Sequence, residues 1–182
     1  MPSPSSRFLW RATVFVLAPL FALSVATPAM AESPPNRIVS GWIPYWMSSQ
    51  SNPAGVITAT ANSDLFVDVS PFWYSATKKG GGIKVDFNAN YGKSAANSSW
   101  ALAQLRAAGI PVLPSIADAS GAKTMANFLA DPANRSAHVA DIVSIVVANN
   151  YDGIDLDYEK FAFSDGRSSW DSTQPIWTAF VQ

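Results

Sequence analysis

Between Asn149 and Phe161 the chain reads NNYDGIDLDYEKF, with four carboxylates in the eight residues from Asp152 to Glu159. The last three, Asp155, Asp157 and Glu159, stand at alternate positions among Ile154, Leu156 and Tyr158. Side chains along a strand point to opposite faces in turn, so this spacing predicts three acids on one face and three apolar residues on the other. Neighbouring acids would then stand ~6.5–7 Å apart along the strand axis. Ionised carboxylates crowded into an interior repel one another and are poorly solvated, so some must keep a proton at neutral pH. That arrangement tunes a carboxylic acid into a proton donor, and general acid–base catalysis is the chemistry on offer.

Three other readings of these residues stay open. A calcium-binding loop also repeats acids at alternate positions, but it interleaves polar residues and Gly rather than Ile, Leu and Tyr. A solvent-facing acidic edge strand would show the same alternation, although helical segments on both sides favour an interior strand. The acids could also be kept for structure alone.

The elements that must position them begin after a leader. Arg7 and Arg11 flank the start of an apolar run, and Ala29-Met30-Ala31 follows, which predicts a secretory signal over residues 1–31. An uncleaved membrane anchor is the alternative, although the run after Arg11 is shorter than the ~20 residues of a bilayer span. Loss of two Arg and no acid takes the net charge from −1 to −3. The expected location is secreted, extracellular or cell-wall associated. The chain has no Cys, which excludes disulfide staples, thiol chemistry, Cys-based metal sites and a lipoprotein anchor. Hydrophobic residues at 48% and charged ones at 14% exclude a disordered tail. Without a Lys/Arg cluster, nucleic acid and, after signal cleavage, membrane surfaces are poor partners.

Residues 32–182 alternate between strand and helix patterns. Strands are expected over Arg37–Trp46, over Asp64–Ala76 with Pro71 marking the end, over Ile110–Ala119 and over Tyr151–Glu159. IKVDFN, after the Lys78-Lys79-Gly-rich turn, suggests a short excursion strand. Helices are expected after Ser51, over Ser94–Ala108 with Gly109 as its stop, over two segments broken near Pro132, and near the chain end. In the second segment Val139, Ile142, Val143, Val146 and Val147 make a helical stripe. Such alternation implies parallel strands with helical crossovers. The expected class is α/β, a (β/α)8 TIM barrel. The closed barrel takes ~250 residues, so residues 32–182 are read as about its first four βα units. Glu159, last on its strand, would stand at the C-terminal mouth, where barrel enzymes keep their chemistry.

DGIDLDYE resembles the D-G-x-D-x-D-x-E signature of glycoside hydrolase family 18, the chitinase-like barrels, and its place on the fourth strand agrees with that family. GWIPYW is similar to the family's aromatic first strand, and VSPFWYSA to the second strand of bacterial members related to spore-germination hydrolases. The likeness runs from Arg37 to about Phe161. It departs at the third strand, where an S-x-G-G-like motif is usual and Ser115-Ile116-Ala117-Asp118 stands here. The later strands, which in the family supply a Tyr and a Trp to the substrate, have no counterpart.

The resemblance implies a retaining hydrolase of β-1,4-linked N-acetylglucosamine glycans, of chitin or peptidoglycan type, that needs no cofactor and no metal. Glu159 would be the general acid and then the base for water. The substrate's 2-acetamido oxygen would attack the anomeric carbon, Asp157 would orient that group, and Asp155 would share a proton with Asp157. Asp152 is expected to fix the turn before the strand. Trp46, Trp73 and Tyr74 are candidates to line a glycan cleft, with core packing as the alternative. His138 is expected at the surface. A lectin-like protein without turnover and an inactive truncated fragment are the competing functions.

Overall fold

The computed structural model describes residues 39–87 and 95–182. The expected leader and the start of the first predicted strand at Arg37 lie outside the described residues. In chain order the strands are β1 (Ser40–Ile43), β2 (Asp68–Lys79), β3 (Gly82–Phe87), β4 (Ser115–Asp118) and β5 (Asp155–Asp157). The helices are α1 (Ala54–Ala61), α2 (Ala95–Ala107), α3 (Thr124–Ala130), α4 (Pro132–Asn149), α5 (Lys160–Phe163) and α6 (Trp170–Val181). Four strands run parallel in the order β1-β2-β4-β5, and β3 folds back antiparallel on β2. The result is a curled parallel half-barrel with helices on its outer side, as the strand–helix alternation requires.

Local chemistry sets the boundaries. Gly109 takes φ +73° just past α2, a left-handed turn that costs glycine no Cβ clash. Asp131 accepts from the N–H groups of Ala133 and Asn134, and Pro132 opens α4, so one residue pair ends α3 and starts the next helix. The third strand is shorter than expected. Pro111 and Pro114 lack the N–H of a continuous ladder, and only an isolated Val69–Val112 bridge precedes β4. Pro71, by contrast, does not end β2. It stands opposite Ile43, and the strand runs on to Lys79 before Gly80 and Gly81 turn it into β3, the expected excursion strand.

The core lies between sheet and helices. Ile43, Val69, Ile116 and Tyr158 meet Val56, Leu105, Leu129, Ile142 and Phe180 in one buried cluster. Each large apolar side chain removed from water there contributes ~1.5–3 kcal/mol. On α4 the buried face differs from the expected stripe. His138 and Ile142 are buried and Ile145 packs partly against the cluster, whereas Val139, Val143 and Val147 are exposed. The i, i+4, i+7 row that includes the histidine faces the core, and the valine row beside it does not. Among the described residues no helix is long and apolar enough to cross a membrane.

Candidate active site

On the inner face of the half-barrel, side chains from β1, β2 and β4 meet around Asp155 of β5. Trp42 on β1 donates its indole N–H to Asp155 Oδ2 at 3.0 Å, and the Ser115 hydroxyl on β4 donates to the same oxygen at 2.6 Å. Phe72 on β2 meets the Trp42 ring edge-on at 5.3 Å. Two donors from two other strands therefore fix the orientation of the Asp155 carboxylate. Behind the strand, Asp152 Oδ2 accepts from the Val112 N–H at 2.8 Å, which fixes the turn into β5 as expected. Gly153 lets that turn close in, since a Cβ there would stand 3.2 Å from Leu113 Cγ.

Asp157 lies opposite Ala117, two residues on from Asp155 and so on the same face. Burial pushes its carboxyl above the ordinary range, and the neighbouring charges of Glu159 and Asp155 push it the same way. Glu159 is not on the strand, however. The ladder ends at Asp157, and Glu159, with φ −98° and ψ −5°, already has helical backbone as it leads into α5. Asp157 and the exposed Glu159 nonetheless line one recess of about 230 Å³, with Ala117, Asp118, Lys160, Phe163 and Ser164.

The aromatic candidates divide. Trp46 stands exposed on a 3-10 turn, Tyr45–Met47, with the Tyr45 ring against it. Trp73 and Tyr74 are not cleft residues but core. Trp73 is fully buried and its indole N–H reaches Ser48 Oγ at 3.4 Å, while Tyr74 shares a hydroxyl contact of 3.1 Å with Tyr151. The strand is covered on both faces, with Val69 to Pro71 and again Trp73 to Ala76 buried in unbroken runs, so alternation does not separate a cleft face from a core face there. Trp42 is the aromatic whose indole reaches Asp155.

His138 is likewise corrected from surface to core. It is 1% exposed, its Nε2 lies 2.8 Å from the Tyr158 hydroxyl, and its ring stacks on Tyr158. Burial holds its imidazole below the usual value, against the pull of Asp141 and Asp118. The partner it needed, Tyr158, is visible in the sequence only as one more apolar-face residue of the acidic strand. A larger groove of about 500 Å³ lies near this outer side, lined by Leu156, Phe161, Trp177, Phe180 and Val181 among others. Its lining carries no carboxylate, histidine or lysine.

Compared as a sequence, the chain matches no protein-family model and no curated protein. Compared as a fold, it is similar to a solved chitinase from Bacteroides thetaiotaomicron, with a TM-score of 0.55 at 19% identity over 79% of this chain and 40% of that one. The chain therefore spans less than half the length of that chitinase, and the likeness is one of fold.

Proposed function

We propose that this chain carries the acid–base half of a retaining glycosidase acting on β-1,4-linked N-acetylglucosamine glycans. The carrying observation is the recess shared by Asp157 and Glu159, with Asp155 fixed behind it by Trp42 and Ser115. The resemblance of DGIDLDYE to the family 18 signature and the fold likeness to a chitinase support the same reading. In this mechanism Glu159 gives its proton to the glycosidic oxygen as the bond to the anomeric carbon breaks. The 2-acetamido carbonyl oxygen of the substrate forms the new bond to that carbon, giving an oxazolinium ion. Asp157, whose carboxyl is disposed to hold a proton, orients the acetamido group. The Glu159 carboxylate then takes a proton from the water that opens the ring, restoring the acid with net retention. Export is part of the proposal and rests on residues 1–31 alone.

The test is incubation of the purified chain with soluble N-acetylglucosamine oligomers and with peptidoglycan fragments, with the first-formed anomer read by NMR. Release of the β-anomer supports the reading. Binding without cleavage moves the protein to the lectin-like alternative, and release of the α-anomer refutes the substrate-assisted route.

A further inference from the structure

Tyr158, between Asp157 and Glu159, is 6% exposed and belongs to the core behind the sheet. The ladder that fixes β5 against β4 ends at Asp157, so strand pairing does not place Glu159. The Glu159 Cα stands one peptide unit, ~3.8 Å, from that of Tyr158. How far the Tyr158 side chain reaches behind the sheet therefore bears on where Glu159 begins its turn into the recess. Rings of Phe180, His138 and Trp177 lie 5.9, 5.9 and 6.3 Å from that of Tyr158. Ring contacts tolerate sliding. A hydrogen bond does not, and the Tyr158 hydroxyl lies 2.8 Å from Nε2 of His138. His138 is itself fixed, on the capped helix α4 and with its ring between Phe128 at 5.9 Å and Phe180 at 5.7 Å. Among the described residues its buried Nδ1 has no hydrogen-bond partner, so the bond to Tyr158 is the one that offsets burial of the ring. A buried imidazole costs stability that a leucine would not. What it adds is direction.

We propose that His138 is a positioning residue for Glu159: its bond to the Tyr158 hydroxyl sets the depth of Tyr158 and, through the next peptide, the approach of the Glu159 carboxyl to the recess shared with Asp157. This rests on the reading of Glu159 as the acid and adds how that acid is aimed. His138 lies behind the sheet and touches no substrate. A misplacement of ~1 Å in a reacting group can cost ~10²-fold in rate, so a bond on the far side of the sheet is readable in turnover. Affinity is set on the inner face, so the effect belongs in kcat and not in KM.

The experiment compares the intact chain with Tyr158→Phe, His138→Leu, His138→Gln and the first two combined, on the N-acetylglucosamine tetramer. Tyr158→Phe and His138→Leu should each lower kcat about five- to tenfold with KM within about twofold. His138→Gln keeps a hydrogen-bonding group near the position of Nε2 and should recover most of the loss. The combined variant should be no slower than the slower single one, because both remove the same bond. In a Glu159→Gln background Tyr158→Phe should not slow the residual turnover further, since no acid remains to be aimed, and tetramer affinity by calorimetry should stay within about twofold. If His138→Leu does not fold, Tyr158→Phe and His138→Gln decide. Wild-type kcat in a folded Tyr158→Phe, or a loss confined to KM, makes the pair a packing contact and overturns the positioning role while leaving the acid in place. A wild-type chain that cleaves no tetramer overturns the glycosidase reading, and the positioning role with it.

Discussion

The stretch from Asp155 to Glu159 has two faces of opposite character. Outward, Tyr158 is buried, stacks on Phe180 at 5.9 Å and shares its hydroxyl with His138. Inward, Asp155 and Asp157 are only half-buried, and Asp155 accepts from the Trp42 indole and the Ser115 hydroxyl. One backbone serves both. The anchoring is done from behind by an aromatic cluster, so the acids need not be buried to be held in place. The same physical cause acts on both sides, since burial raises the Tyr158 phenol and the Asp157 carboxyl alike. Only the second lines the recess with Glu159.

Substitutions on the two faces should therefore fail differently. The largest effect is expected behind the sheet, where Ile116 is fully buried. Ile116→Ala should lose ~2–5 kcal/mol in urea unfolding, and a loss below ~1 kcal/mol would remove the outer face as the anchor. Next comes the inner side. Glu159→Gln should cut turnover of N-acetylglucosamine oligomers by ~10²-fold or more while leaving the melting temperature unchanged, because the side chain is exposed. Wild-type turnover in that variant would refute the assigned acid. Trp42→Phe keeps a ring but removes a donor to Asp155, and should slow turnover about fivefold. A variant as active as the wild type would show that Ser115 alone suffices.

Two smaller effects depend on pH, with opposite signs. His138 is held neutral by burial, so below its ordinary value of ~6.5 the folded chain binds fewer protons than the unfolded one. Its stabilising contribution is complete above that value and is lost as the pH falls towards the depressed one. His138→Phe should flatten the fall in melting temperature between about pH 7 and about pH 5. An unchanged slope would place the acid sensitivity elsewhere. Asp157 is the reverse case, because the folded chain holds its proton to higher pH than the unfolded chain does. Its ionisation costs stability above the raised value, and the cost disappears below 3.8. Asp157→Asn should raise the melting temperature slightly at neutral pH and not in acid. A lower value at neutral pH would mean the carboxylate is stabilised by its contacts.

Much of the frame was legible because it depends on local pattern. Gly109, the Asp131-Pro132 pair and the alternation through Asp155 and Asp157 all act within a few residues of themselves. What escaped depends on contacts distant in sequence. The burial of Trp73 and Tyr74 belongs to a strand covered on both faces by segments distant in sequence, and alternation cannot reveal it. The pairing of Trp42 with Asp155 spans 113 positions, and that of His138 with Tyr158 joins a helix to a strand end. Glu159 shows the same limit at short range. The two-residue spacing continues through it, but the strand does not, and a helical turn brings it to the recess by another route.

The unequal pairing of the strands has a dynamic consequence. β2 is bonded along one side by β1 and then β3, and along the other by β4, whereas among the described residues β5 is bonded only to β4. Amide hydrogens in the middle of β2 should exchange with solvent only on global unfolding, while those of β5 should exchange through local opening of far lower cost. Among the described residues β1 and β3 are likewise bonded to one neighbour, so the strand that carries Asp155 and Asp157 is one of three able to breathe, and the proposed glycan should slow exchange in β5 more than in β3.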